Sequence, residues 1–144
     1  MKALPQVLLV DDNPADVVLA REALAGGRHQ SCISDVADGE EAIAFLRRAG
    51  PYVNTVRPDL VILDLNLPKK DGRAVLAEAK ADNHLRSIPV VVFSTSRSLL
   101  DIALSYDLGA NCYVSKPGNL NDYFSAVQSI EEFWLGSASL PREE

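Results

Sequence analysis

Short apolar runs alternate with amphipathic segments along the whole chain. Three of the runs, residues 7–10, 60–63 and 90–93, are apolar at every position. Continuous apolar runs of this length are typical of strands that are buried on both faces of a sheet. Residues 33–36 and 113–114 are weaker strand candidates. The pattern therefore predicts five short strands, of which three lie at the centre of the fold.

The segments between these runs have apolar residues at helical spacing. Asn13, Pro14 and Asp16 predict a helix start, with an N-cap, a proline at the first helical position and an acid at the third. This helix is expected to end at Gly26 and Gly27. Four more helices are predicted to begin near residues 39, 72, 99 and 120, and the last of them is expected to run through Trp134.

Five alternations of strand and helix predict an α/β fold with a parallel sheet covered by helices on both faces, because parallel strands need crossover connections. The length of 144 residues fits one domain. We expect a core of about residues 5–136 with a short tail at 137–144, and no output domain. In open sheets of this kind the ligand site lies beyond the carboxyl ends of the strands.

Composition narrows the classes of partner. The chain is 47% hydrophobic and 24% charged, with a net charge of -6 at pH 7. A negative domain is poorly suited to neutralising nucleic-acid phosphates. No apolar run approaches the roughly 18 residues of a membrane-spanning helix. We therefore expect neither nucleic acid nor membrane as a partner, and a cytoplasmic location.

Polar residues follow several of the predicted strands. Asp11 and Asp12 come after the first strand, and Asp64 comes after the third. Three carboxylates at one edge repel each other unless a cation neutralises them, and such oxygen ligands suit Mg²⁺. Ser94 and Lys116 follow the fourth and fifth strands. A cation pocket, a hydroxyl and a lysine around one carboxylate are suited to phosphoryl transfer, with Asp64 as the nucleophile.

These residues, in the order DD, LDLNLPKKDG, ST and YVSKP, resemble the receiver domain of two-component response regulators over nearly the whole chain. The resemblance implies a flavodoxin-like three-layer sandwich with sheet order 2-1-3-4-5. It also implies that a histidine kinase phosphorylates Asp64. The protein would then be a phosphoacceptor that catalyses only its own phosphorylation and dephosphorylation, and not an enzyme in the ordinary sense.

The resemblance also implies a ligand set for the cation, with Mn²⁺ or Ca²⁺ as alternatives to Mg²⁺. Asp12 and Asp64 would bind it directly, Asn66 through its backbone carbonyl, and Asp11 through water. In the same way, Ser94 and Lys116 are expected to contact the phosphoryl oxygens.

Two further features are implied around the fifth strand. Tyr113 would act with Ser94 as a switch, turning inward when the serine moves to the phosphoryl group, although ordinary packing is the alternative for this tyrosine. The peptide bond between Lys116 and Pro117 is expected to be cis. The implied sheet order places Cys32 and Cys112 at opposite edges, too far apart for a disulfide.

A finer resemblance rests on less general stretches. NPADVVLAREAL, KPGNLNDYF and IEEFWLGSASLP are similar to segments of the small response regulators paired with bacterial phytochromes. This similarity implies a phytochrome-type sensor histidine kinase as the partner. Output would then occur by protein contact or by phosphorelay.

Apolar residues on the last two helices suggest an interface. Helix four is apolar over more than one stripe, and the end of helix five carries large apolar side chains; the candidates are Leu99, Leu100, Leu104, Phe133 and Trp134. Such patches usually mark contact surfaces, so we expect a homodimer through helices four and five. The alternative for the two aromatic residues is that they seal the edge of the core.

Two other functions share these features. One is a Mg²⁺-dependent phosphohydrolase with an aspartyl-phosphate intermediate, although Asn66 stands where such enzymes have a second acid. The other is a receiver-like scaffold that acts without phosphate, although the five residues that follow the strands are all present, namely Asp11, Asp12, Asp64, Ser94 and Lys116.

Overall fold

The structure, a computed structural model, describes residues 3–141. Its five strands form one parallel sheet in the order β2-β1-β3-β4-β5, as the sequence predicted. The strands are β1 Gln6–Val10, β2 Cys32–Val36, β3 Leu60–Leu63, β4 Val90–Ser94 and β5 Cys112–Ser115. The last three residues of the expected tail, 142–144, lie outside the described range.

One helix follows each strand. The five are α1 Pro14–Ala25, α2 Gly39–Arg47, α3 Gly72–Ala81, α4 Leu99–Asp107 and α5 Leu120–Glu131. A short 3₁₀ turn at Gly50–Tyr52 was not predicted. The fifth α-helix is shorter than expected, because the chain continues from Glu131 into a π-helical turn at Glu132–Ser137.

Each helix begins after a side chain that accepts a hydrogen bond from the first turn. The capping residues are Asn13, Asp38, Asp71, Ser98 and Asn119. These caps satisfy backbone N–H groups that otherwise lack partners at a helix start. They fix where each helix starts, and therefore the length of every loop that leaves the carboxyl edge of the sheet.

The sheet separates two apolar cores. Strand β1 shows the alternation, since Leu8 and Val10 face one side while Val7 and Leu9 face the other. Helices α2 and α3 cover the first side, and α1 and α5 cover the second. Burial on both faces explains why the central strands are apolar throughout.

Some expected packing differs in detail. Leu120 is exposed, and α5 is instead buried through Tyr123, Val127 and Ile130. Leu120 is the first residue of its helix. Cys32 and Cys112 are free thiols on the two edge strands, as predicted. Within residues 3–141, no helix has the length and apolar character needed to span a membrane.

Candidate functional site

Asp11 and Asp64 lie side by side at the carboxyl edge of the sheet. Val10 and Leu63 are register partners on β1 and β3, so the next residue on each strand reaches the same place. The Asp64 N–H donates to the Val10 carbonyl at 2.9 Å, which continues the ladder to the edge. One carboxylate oxygen from each of Asp11, Asp12 and Asp64 lies within 4.8 Å of the other two.

The acid cluster of Asp11, Asp12 and Asp64 is suited to a divalent cation. The side chains of Asp11 and Asp64 are only 12% exposed, whereas Asp12 is open to solvent. Burial raises the pKa of Asp11, although hydrogen bonds from Lys116 and from the Asn13 N–H oppose this shift. A hard cation would compensate the crowded charge, and open carboxylate oxygens leave room for water ligands. The donor set therefore fits Mg²⁺.

Lys116 connects this cluster to α1. Its Nζ donates to Asp11 Oδ2 at 2.7 Å, to Asp64 Oδ2 at 3.0 Å and to Asp16 Oδ2 at 2.9 Å. Burial alone would lower the pKa of Lys116, but the hydrogen bond with Asp11 and the surrounding carboxylate charges together raise it. The lysine is therefore a fixed cation at neutral pH.

The expected cis peptide before Pro117 is wrong. No cis peptide bond is present among the described residues, so the Lys116–Pro117 bond is trans. Proline reduces the preference for trans without reversing it. With the trans bond, the Lys116 N–H still donates to the Ser94 carbonyl at 2.7 Å, and the ammonium group still reaches all three acids.

Asn66 lies in the loop after β3, and Ser94 lies at the end of β4. Ser94 is the last residue of β4 and is fully buried, and its Oγ accepts the Ser96 N–H at 3.4 Å. Asn66 is exposed, and its N–H donates to Asp64 Oδ1 at 3.4 Å. Asn66 is two residues from Asp64 along the chain, whereas Ser94 is joined to Lys116 through the backbone, and their roles as metal and phosphoryl ligands stay predictions.

Tyr113 is connected to the loop after β4. Its hydroxyl donates to the Ser96 carbonyl at 2.8 Å, while its ring packs against the core on the α2 and α3 side. Ser96 Oγ donates to Asp101 in the first turn of α4, and Arg73 donates to the other oxygen of that carboxylate at 2.8 Å. This network joins the loop beside Ser94 to α3, α4 and β5.

Gly72 allows α3 to begin directly beneath Asp64. A Cβ at this position would lie 2.3 Å from the Asp64 carbonyl oxygen and 2.6 Å from Leu65 Cα. No side chain fits there unless the backbone moves. The glycine in the LPKKDG stretch is therefore required by the close approach of helix and strand.

Asp16 is the site residue that the sequence analysis missed. The sequence pattern indicates only an acid near a helix start, yet its carboxylate is a direct partner of Lys116. The Tyr123 hydroxyl donates to the Asp16 carbonyl at 3.1 Å and links α5 to this turn. Helix starts lie at the carboxyl edge of such sheets, so an acid in the first turn after the acid pair was the available signal.

The interface candidates fall into two groups. Leu99 and Leu100 are 83% and 76% exposed at the start of α4, and Leu104 is also exposed. Phe133 is exposed, whereas Trp134 packs against the core on the α1 and α5 side and meets the Phe133 ring edge-on. This packing favours the sealing alternative for Trp134.

Comparison with known proteins agrees with this geometry. The model of the response regulator receiver domain matches residues 7–128. Response regulator Rcp1 from Synechocystis sp. (strain ATCC 27184 / PCC 6803 / Kazusa) is 49% identical over 135 residues, covering 94% of this chain and 92% of Rcp1. A crystal structure of the phosphorylated cyanobacterial phytochrome response regulator RcpA has a TM-score of 0.94 at 54% identity, covering 97% of this chain and 100% of that chain. The Mn(2+)-bound form of Rcp1 has a TM-score of 0.92 at 48% identity, covering 96% and 99%.

The sheet has five parallel strands in the order 2-1-3-4-5, with clustered acids and a lysine at one edge. This arrangement is typical of signalling domains that accept a phosphoryl group. The chain belongs to the response regulator receiver domain family. The family and the fold expected from the sequence are therefore confirmed, and one of the relatives compared above, RcpA, is a cyanobacterial phytochrome response regulator.

Proposed function

We propose that this protein accepts a phosphoryl group on Asp64 from a histidine kinase and signals in the phosphorylated form. The observation that carries the proposal is the position of Asp64, which is a member of the acid cluster and also accepts a hydrogen bond from the ammonium group of Lys116. A carboxylate held between a cation pocket and a fixed lysine can approach an anionic phosphoryl group without uncompensated repulsion.

The transfer forms one bond and breaks another. An Asp64 carboxylate oxygen forms the new O–P bond while the P–N bond to the kinase histidine breaks, and the leaving imidazole keeps the electron pair and takes a proton from solvent. Lys116 and the Ser94 hydroxyl would hold the phosphoryl oxygens. Both side chains are buried, so water competes poorly for their hydrogen bonds.

We further propose that the acid cluster holds Mg²⁺, through Asp12 and Asp64 directly, the Asn66 carbonyl, and Asp11 through water. A bound divalent cation neutralises charge that builds up on the phosphoryl oxygens. The Mn(2+)-bound form of Rcp1, a relative of 48% identity, supports this assignment.

A phytochrome-type sensor kinase is the proposed donor. RcpA supports this choice, since it is a cyanobacterial phytochrome response regulator that is 54% identical to this chain and covers 97% of it. A cytoplasmic location belongs to the same proposal, because the free thiols Cys32 and Cys112 fit a reducing compartment.

Phosphotransfer from a labelled kinase tests the proposal. A phytochrome-type kinase, phosphorylated with radioactive phosphate, is mixed with the wild-type protein, with Asp64→Asn and with Asp107→Asn in Mg²⁺. Asp107 is an exposed acid at the end of α4 and serves as the matched control. We expect label on the wild type and the control, and none on Asp64→Asn.

The outcomes separate the parts of the proposal. Label on Asp64→Asn would show that another residue is the acceptor. Transfer from an unrelated histidine kinase, with none from any phytochrome-type kinase, would overturn the phytochrome assignment alone. Steady release of phosphate from ordinary phosphate esters would instead indicate a phosphohydrolase.

A further inference from the structure

Lys116 has no hydrogen left for a phosphoryl oxygen. An ammonium group carries three N–H donors, and those of Lys116 have three acceptors, Asp11, Asp16 and Asp64, all within 3.0 Å. The lysine side chain is only 4% exposed, so none of its N–H hydrogens is bonded to water and available for another acceptor. While a phosphoryl group approaches Asp64, all three carboxylates are still ionised, so it can bind Lys116 only if one of them releases the lysine.

Of the three acceptors, Asp16 can release Lys116 at the lowest cost in free energy. Its side chain is 24% exposed, compared with 12% for Asp11 and for Asp64, so its carboxylate recovers hydration most readily. Asp11 is also held by the Asn13 N–H at 2.9 Å. Asp64 is the proposed nucleophile, so it has to stay in place while the phosphoryl group approaches.

The backbone of Asp16 is fixed while its carboxylate is not. Asn13 caps the first turn of α1, and the Tyr123 hydroxyl donates to the Asp16 carbonyl. The one hydrogen bond found for the carboxylate within residues 3–141 is that with Lys116. A change of side-chain rotamer would release the lysine without disturbing the helix.

We infer that Asp16 competes with the phosphoryl group for Lys116 and so limits how readily Asp64 is phosphorylated. This inference rests on the proposed function of Asp64. Asp16 lies outside the acid cluster, so removing its charge leaves the proposed cation ligands in place. It is a positioning residue, since it acts on the reaction through Lys116.

The test compares phosphorylation by acetyl phosphate in saturating Mg²⁺ for the wild type, Asp16→Asn and Asp122→Asn. Asp122 is the matched control, because it holds the same third position after an asparagine cap, on α5, and bonds to Asn119 instead of Lys116. We expect Asp16→Asn to be phosphorylated about fivefold faster, the size of a partly screened ion pair, and to bind beryllofluoride correspondingly more tightly. Asp122→Asn should match the wild type.

Asp16→Glu separates competition from a structural role. It keeps the negative charge, so we expect its rate to return close to that of the wild type, with melting temperatures confirming that all variants fold. A rate for Asp16→Asn that equals or falls below the wild-type rate would overturn the competition while leaving Asp64 as the acceptor. Absence of label on the wild type would overturn the proposed function, and the competition with it.

Discussion

Asp11 is a residue whose ionised side chain destabilises the folded protein. Its carboxylate is almost buried between Asp64 and the start of α1, and burial raises its pKa in spite of the bond from Lys116. A raised pKa means that the folded state holds the proton more tightly than the unfolded state does. At neutral pH the ionised carboxylate therefore lowers the free energy of unfolding, and this cost is relieved as pH falls through the folded-state pKa.

Asp11→Asn should therefore stabilise the protein when a chelator removes divalent cations. Denaturant unfolding at neutral pH is expected to give a higher free energy of unfolding for the variant, and the difference should shrink as pH falls through the raised folded-state pKa of Asp11, where the wild type becomes protonated. Mg²⁺ affinity, measured by calorimetry, should fall. A variant that is less stable than the wild type in chelator would contradict this electrostatic account.

At the residue scale, local patterns revealed some of the site and not the rest. Asp11, Asp12 and Asp64 could be predicted because each follows a strand, and parallel strands end at one edge. The bond between Asp16 and Lys116 joins residues 100 positions apart, and no local pattern specifies which acid a lysine will meet. The link from Ser96 through Asp101 to Arg73 was missed for the same reason.

At the scale of elements, the connection from β3 to α3 controls where Asp64 lies. The Gly72 N–H donates to the Leu65 carbonyl at 2.8 Å, so the helix begins in contact with the strand end. Lys69, in the same loop, has a positive φ of 66°. The apolar pattern predicted both elements, but this contact depends on loop geometry that hydrophobic periodicity does not describe.

Gly72→Ala should destabilise the protein by about 2 kcal/mol, because its Cβ meets backbone that has to shift. Gly118→Ala is the matched control, since a Cβ there meets nothing within 4 Å. Denaturant unfolding measures both, and the shift at Asp64 should also weaken Mg²⁺ binding by Gly72→Ala. Equal stability of the two variants would show that α3 is not fixed by this contact.

At the scale of the whole molecule, the site and the exposed face of α4 are connected. Tyr113, Ser96 and Asp101 join the loop after β4 to the first turn of α4, next to Leu99 and Leu100. Two large apolar side chains exposed side by side favour a contact surface. We propose that this face forms a homodimer and that phosphorylation of Asp64 shifts its equilibrium.

Leu100→Lys should weaken that dimer, because a charge would have to be buried in an apolar contact. Sedimentation before and after modification with beryllofluoride should show a shifted association state for the wild type and a monomer for the variant. Val18→Lys, a comparable change of an exposed valine on α1, should behave as the wild type. Unchanged association of Leu100→Lys would place any dimer contact elsewhere.

The central claim is that Asp64 is the Mg²⁺-dependent phosphoacceptor, and mass spectrometry after incubation with acetyl phosphate tests it most directly. We expect the wild type to gain the mass of one phosphoryl group in Mg²⁺ and none in chelator, with the modified peptide containing Asp64. Asp64→Asn should gain nothing in either condition. A phosphoryl group found on another residue, or one acquired equally well in chelator, would contradict the account.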